Sequence, residues 1–213
     1  MSPSEPNIVS DRQSKTSGRR QGRPPASRED MLAAADALFA DADAPQTVSM
    51  DAIAAAAGVG KGTLFRAFGD RDGLLDSLAA AKFLPLRTAV ESGPGPLGPD
   101  TPAPDRIVAF LDAVLTFKLE NRNLMRAREV ATTGNLQSER YRWMHGLLQR
   151  LIQDAATGCT ANDAGYVAHA LLATLHIDLI DELLTTGRSV EDIRRAQAAQ
   201  ALAALGGAAR SGR

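Results

Sequence analysis

The chain has 213 residues, a mass of 22.5 kDa and a formal net charge of −1. Apolar residues make up 44% and charged residues 23%, enough for a core in one ordinary domain or two small ones. Thirty-eight alanines against nine aromatic residues argue for helix and against an all-β fold, and the single cysteine, Cys159, excludes an internal disulfide framework and a multi-cysteine zinc site. No apolar run approaches the roughly 18 residues of a membrane span. The polar N-terminus lacks the apolar stretch of a signal peptide, so a cytoplasmic location away from any membrane is expected.

The near-zero net charge hides an asymmetry. Residues 1–28 carry Arg12, Lys15, Arg19, Arg20, Arg23 and Arg28 against Glu5 and Asp11, a balance of +4, which leaves −5 on the remainder. A basic arm on an acidic body suits an anionic partner reached from one end, and suits a solubilising tail equally well. Residues 1–26, rich in Ser, Pro, Gly, Gln and Arg, lack the apolar surface that would offset ordering and are expected to be mobile.

Helix signals begin at Ser27, an N-cap followed by Glu29 and Asp30 in the first turn. Met31, Ala35, Leu38 and Phe39 give that helix an apolar stripe to about Ala40, and 41–47 reads as a loop. Ser49 caps a second helix with Met50, Ile53, Ala54 and Ala57 on one face, and Gly58 ends it. A third spans about Lys61 to Phe68, with Leu64 and Phe68 facing inward. Asp70 caps a fourth, which Pro85 would kink or end.

Residues 92–104 hold five of the 11 prolines and read as a loop. Helices are then predicted over about 105–120, 121–131 and 137–155. A capping pattern at Thr160 to Asp163 opens one helix to about Leu184, and another at Ser189 to Asp192 opens a last one, ended by Gly206-Gly207. The total is about nine helices, an all-α protein.

Ser49 to Phe68 has the outline of a helix-turn-helix, although any αα-hairpin shares that outline. The second helix offers Lys61, Gly62, Thr63, Phe65 and Arg66 away from its apolar face. A small and basic N-terminal half can enter a DNA major groove, about 12 Å wide. Thr63 can meet a thymine methyl, Lys61 and Arg66 can reach phosphate or guanine, and Arg71 is placed to meet the backbone. Ser49 can offer its hydroxyl and the free N–H groups of a helix N-terminus to a phosphate. A plain solvated face is the alternative for these cations.

The run Ser49-Met-Asp-Ala-Ile-Ala-Ala-Ala-Ala-Gly-Val-Gly-Lys-Gly-Thr-Leu-Phe-Arg-Ala-Phe68, followed by Gly-Asp-Arg-Asp-Gly-Leu-Leu75, resembles the DNA-binding domain of TetR-family transcriptional regulators over about residues 27–80. The resemblance implies a three-helix N-terminal domain that reads DNA, and a variable helical C-terminal domain that binds an effector and dimerises. It puts Lys61, Gly62, Thr63, Phe65 and Arg66 on the recognition helix, and Arg71 where a phosphate-contacting Lys usually lies. Phe65 replaces a usual Tyr, losing a phosphate hydrogen bond worth roughly 0.5–1.5 kcal/mol. Ala67 replaces a usual His. Arg20 and Arg23, in a narrow Gly-Arg-Pro context, would enter the adjacent minor groove. Loose phosphate attraction is the other reading of the arm.

These readings divide the chain into an arm over 1–26, a DNA-binding domain over 27–80 and an effector-binding, dimerising domain over 81–213. Residues 109–129 are similar, more weakly, to C-terminal domains sometimes called SbtR-like, which names no effector. The family pattern makes the last two long helices the dimer interface. Leu171, Leu172, Leu175, Leu179, Leu183 and Leu184 line one, and Ile193, Ala196, Ala199, Leu202 and Leu205 the other. A homodimer implies a pseudo-palindromic duplex site. Candidates for lining a pocket for a small-molecule effector are Phe110, Val114, Phe117, Met125, Trp143, Met144, Leu147, His169, Leu172 and His176, each of which also suits plain core.

His169 and His176 share a face at i, i+7, but with Cys159 and Asp178 they match no recognised zinc spacing, so no metal or other cofactor is expected. No phosphate loop, Gly-x-Ser-x-Gly or His-Glu-x-x-His is present, and no enzyme is expected. The reading is an effector-responsive, sequence-specific DNA-binding regulator, a repressor. Its alternative is a helical dimer of the same fold that acts through protein contacts.

Overall fold

The computed structural model describes residues 26–129, 138–156 and 158–211. Among the described residues there are ten α-helices, one short 3-10 turn and no strand. The helices are α1 Arg28–Ala40, α2 Met50–Ala57, α3 Lys61–Phe68, α4 Arg71–Ser92, α5 Ala103–Glu120, α6 Arg122–Glu129, α7 Glu139–Ala155, α8 Ala161–Ala173, α9 Ile177–Thr185 and α10 Val190–Ser211; the 3-10 turn is Pro45–Thr47.

Local chemistry sets most boundaries. Ser27 and Asp30 form a reciprocal capping box at α1. The hydroxyls of Ser49, Ser138 and Thr160 accept from the third residue of their helices. Ser189 and Asp192 exchange hydrogen bonds at the start of α10. Gly58 closes α2 at φ +66°, and bonds from Gly58 N to Ala55 O and Val59 N to Ala54 O complete a Schellman turn. Asp70 caps α4 through Gly73 N at 2.8 Å. A Cβ on Gly73 would lie 2.1 Å from Phe68 O, so only glycine lets α4 start this close to the end of α3.

Pro85 neither ends nor breaks α4, which continues to Ser92. It leaves one carbonyl without its N–H, and both Pro85 and Ala81 are exposed, where water can satisfy that group. The same helix runs unbroken across residue 80. One apolar cluster extends from Met31 in α1 to Leu205 in α10, so the N-terminal helices and the bundle of α5, α7, α8 and α10 share a continuous core.

Two predicted features are corrected, and a third is divided between two faces. The helix expected from Thr160 to Leu184 is two helices, broken at Thr174, Leu175 and His176. The buried Glu129 carboxylate accepts from Ile177 N at 2.8 Å and caps α9 from 48 residues away, which favours a new helix start there. The last helix passes through Gly206-Gly207 to Ser211. Glycine in a helix costs about 1 kcal/mol against alanine without forcing a stop, and alanines lie on both sides. The inward face of α10 is Ile193, Gln197, Ala201 and Leu205, a spacing of four, whereas Ala196, Ala199 and Leu202 point outward.

Candidate nucleic-acid interface and adjoining cavity

Helix α3 is held by its apolar side. Leu64 and Phe68 are buried, and Arg28 grips the far end, donating to Ala67 O and to Ser77 Oγ at 2.7 Å while lying 4.3 Å from the Phe68 ring centroid. The opposite side carries the predicted residues. Lys61, Gly62, Phe65 and Arg66 are exposed and Thr63 half-exposed. Phe65 keeps 37% of its surface open, which no packing role requires. A Cβ on Gly62 would meet nothing within 4 Å, so another molecule can approach the backbone closely.

Lys61 Nζ lies 2.8 Å from Asp51 and 5.9 Å from the Phe65 ring centroid. Both partners of that ion pair are exposed, so it is weak and can be exchanged for a phosphate. Thr63 Oγ1 accepts from Arg66 Nη2 at 3.4 Å. Ser49 is exposed at the N-terminus of α2, its hydroxyl occupied by Ala52 N at 3.2 Å.

Arg71 has a different place from the one expected. Its guanidinium donates to Val48 O at 3.1 Å, Pro45 O at 3.0 Å and Gln46 O at 3.5 Å. It ties the 3-10 turn to α4, adding a second donor to Pro45 O, which already accepts from Val48 N at 3.3 Å, and reaching the carbonyls of Gln46 and Val48. Arg28, counted above with the basic arm, is likewise a clamp. The expected Arg20 and Arg23 lie outside the described residues.

A cavity of about 350 Å³ opens among α4, α5, α6, α7 and α8. Val114, Phe117, Met144, Leu172 and His176 line it as expected, together with Phe83 and Leu175. The other five candidates do not. Phe110, Met125 and Leu147 are core. Trp143 packs edge-on against Phe83 and Phe110 and donates to Glu91 at 2.9 Å. His169 is on the surface, its Nδ1 2.7 Å from the Tyr141 hydroxyl and its ring 4.0 Å from that of His145. The helix break before α9 separates it from His176. Among the described residues no group of three or more His, Cys, Asp or Glu could hold a metal.

Apolar periodicity pointed to the greasy wall and missed the polar one, formed by Lys118, Glu129, Arg140 and Tyr141. Lys118 Nζ lies 2.6 Å from Glu129 Oε1, and both are buried. Burial pushes the Lys118 ammonium down from its usual range, and Glu129 pulls it back. Arg128 is paired with Asp76 of α4. Arg140 Nη1 is buried and has no hydrogen-bond partner among the described residues. Burial first, and Arg128 second, push the Arg140 guanidinium down to about 10.

Helix α6 joins this cavity to the N-terminal helices. Glu129 stands in the cavity wall at its last turn. At its first turn Asn123 Nδ2 donates to Phe39 O, Ala40 O and Ala42 O at 3.1, 3.3 and 3.0 Å, around the end of α1. Arg122 and Arg126 both reach Asp181 of α9, each at 2.5 Å.

Residues 31–78 match bacterial regulatory proteins of the tetR family. No curated protein matches the chain. Among solved structures, a TetR-like transcriptional regulator from Rhodococcus sp. RHA1 is similar at 24% identity, with 84% of this chain and 95% of that one covered and a TM-score of 0.57. A candidate transcriptional regulator from Pseudomonas aeruginosa PAO1 is similar at 21% identity, with 87% and 93% covered and a TM-score of 0.60. Residues 31–78, which hold the helix-turn-helix, thus match the tetR family, and the all-helical fold is similar to that of TetR-like transcriptional regulators.

Proposed function

We propose that this protein is a homodimeric repressor that binds a pseudo-palindromic DNA site and releases it when a small molecule occupies the cavity. The observation that carries the reading is the outer face of α3. Lys61, Gly62, Thr63, Phe65 and Arg66 form a small, basic, open surface on a helix locked from behind by Leu64, Phe68 and Arg28. Such a helix enters a major groove without reorganising. Lys61 and Arg66 take phosphate or guanine, Thr63 and Gly62 approach base edges, and Ser49 offers the start of α2 to a phosphate. Arg71 acts one step back, holding the turn that precedes Ser49. Arg20 and Arg23 extend the contact into the minor groove.

Dimerisation is supported by the outward apolar faces of α9 and α10. Leu179 and Leu202 are 42% and 52% exposed, beside the exposed Ala196 and Ala199. Effector response is supported by α6, which has one end in the cavity and the other on α1. A ligand that fits only one setting of α6 shifts the population of α1 to α4 by its differential affinity for the two states.

The test is fluorescence anisotropy of the full chain at about 150 mM salt, with a duplex from upstream of its own gene and a scrambled duplex. A preference of about 10³ for the genomic duplex is expected. Equal weak binding across tiled upstream duplexes would favour a helical dimer that acts through protein contacts. Removing residues 1–26 is expected to lower the preference for A·T-rich flanks; an unchanged preference rules out the minor-groove contact.

A further inference from the structure

Among the described residues, every charge in the cavity wall except one has an ion-pair partner. Lys118 pairs with Glu129, Arg128 with Asp76, and the second oxygen of Glu129 is taken by Ile177 N. Arg140 has none of these, and its Nη1 is enclosed without an acceptor among the described residues. Its position makes matters worse in two further ways. It is the second residue of α7, where the helix dipole already presents a positive end. It also lies near the like charge of Arg128, which Glu129 and Asp76 offset from a distance and the Phe83 ring, 5.9 Å away, only faces. Arg140 is half-buried overall, and a guanidinium with one enclosed nitrogen lacking an acceptor, at the positive end of a helix, is stabilised when something negative joins it.

The rest of the wall sets the shape of that negative partner. Phe83, Val114, Phe117, Met144, Leu172 and Leu175 are apolar. At about 30 Å³ for each water displaced, the cavity's 350 Å³ holds roughly a dozen non-hydrogen atoms. Lys118 cannot serve as the anion's main partner while Glu129 holds it at 2.6 Å.

We propose that the cavity binds an amphipathic monocarboxylate of about ten to twelve non-hydrogen atoms, its carboxylate on Arg140 and its aliphatic or aromatic body against Phe83, Phe117 and Met144. The guanidinium fork matches a carboxylate with two parallel hydrogen bonds. The carboxylate thereby adds a negative charge beside Glu129, close to the last turn of α6. This assignment rests on the cavity being the effector site proposed above.

The experiment uses the full chain and two isosteric pairs, octanoate with octanamide and 4-phenylbutanoate with 4-phenylbutanamide. Binding is read by calorimetry and by the fluorescence of Trp143, the only tryptophan, whose ring centroid is 5.8 Å from that of Phe83. The acids are expected to bind at least about tenfold more tightly than the amides. Arg140→Met should remove that preference and leave the fold intact, because it deletes a charge without an ion-pair partner and keeps the apolar stem. Arg140→Lys should retain part of it.

Amides that bind as well as the acids would overturn the proposal. So would an undiminished preference in Arg140→Met, or no binding of either acid at about 5 mM. The same titrations on the DNA complex separate the two readings. A neutral probe that releases DNA while the acids do not would keep the regulator and remove the carboxylate. Arg140-dependent acid binding with unchanged DNA affinity would keep the carboxylate site and remove the effector role.

Discussion

The outer face of α3 and the polar wall of the cavity both present cations, and they hold them in opposite ways. Lys61 and Arg66 stand in solvent, and the one ion pair there, Lys61 with Asp51, joins two side chains that are each more than 60% exposed. Water screens such a pair, so it contributes little to the fold and yields readily to a phosphate. Lys118, Arg128 and Glu129 are buried, and their charges are tied to one another and to α4 and α9. There each missing partner is felt in full. The α3 surface is therefore rigid through its backbone and apolar underside, whereas the cavity is rigid through charge. A ligand that alters the charge balance can move the second while the α3 face keeps its own internal shape.

The largest effect is expected on the buried side. Glu129→Gln leaves Lys118 without its counter-charge and weakens the cap of α9, and should cost about 3 kcal/mol in denaturant unfolding. Pairing it with Lys118→Met should recover much of that loss. A loss under about 0.5 kcal/mol for the single variant would mean that the cavity is not held by charge.

On the α3 side the sensitive element is backbone, not charge. Gly73→Ala puts a methyl against Phe68 O and should cost about 2 kcal/mol in the same unfolding measurement. Full stability would show that the end of α3 can shift, and that the groove-facing helix is less firmly set than the comparison requires.

Lys61→Ala should leave stability within about 0.5 kcal/mol. It should weaken specific DNA binding by about 1 kcal/mol and lower the salt slope by about one ion, read by anisotropy across a salt series. A stability loss larger than the binding loss would make the Lys61 to Asp51 pair part of the fold.

The smallest effect belongs to a surface cluster that touches the cavity wall only through Tyr141. Burial, with His145 beside it, lowers the pKa of His169 in the folded chain. Between that value and the unfolded value of about 6.5, the unfolded chain binds the proton more readily. Stability is full above about pH 6.5 and should decline as the pH falls through that window. His169→Gln should flatten the decline slightly in thermal melts between about pH 7 and 5.5, because the group is largely solvent-exposed.

The two regions also differed in how far they could be read from sequence. The exposed set on α3 follows from Leu64 and Phe68 at i, i+4, and from caps and glycines within a few residues of each helix end. For Arg71 the sequence showed a position that suits a phosphate but not the carbonyls of Pro45, Gln46 and Val48, because only the folded turn brings those within reach. In the cavity, periodicity picked out Val114, Phe117, Met144 and Leu172 by their apolar faces. It could not separate them from Phe110, Met125 and Leu147, which are equally apolar and face the core. The charged wall gave no periodic signal at all. Lys118, Glu129 and Arg140 read as ordinary polar positions until three helices bring them together.

Most helix starts, the helix-turn-helix and the outward face of α3 were determined by the sequence itself, because capping, glycine conformation and i, i+4 contacts act over a few residues. The break between α8 and α9, the clamps made by Arg28 and Arg71, and the unbalanced charge of Arg140 were decided by tertiary structure. Each depends on a partner, or on the lack of one, set by segments 20 or more residues away. Burial of a charge has no energetic meaning until those segments close around it.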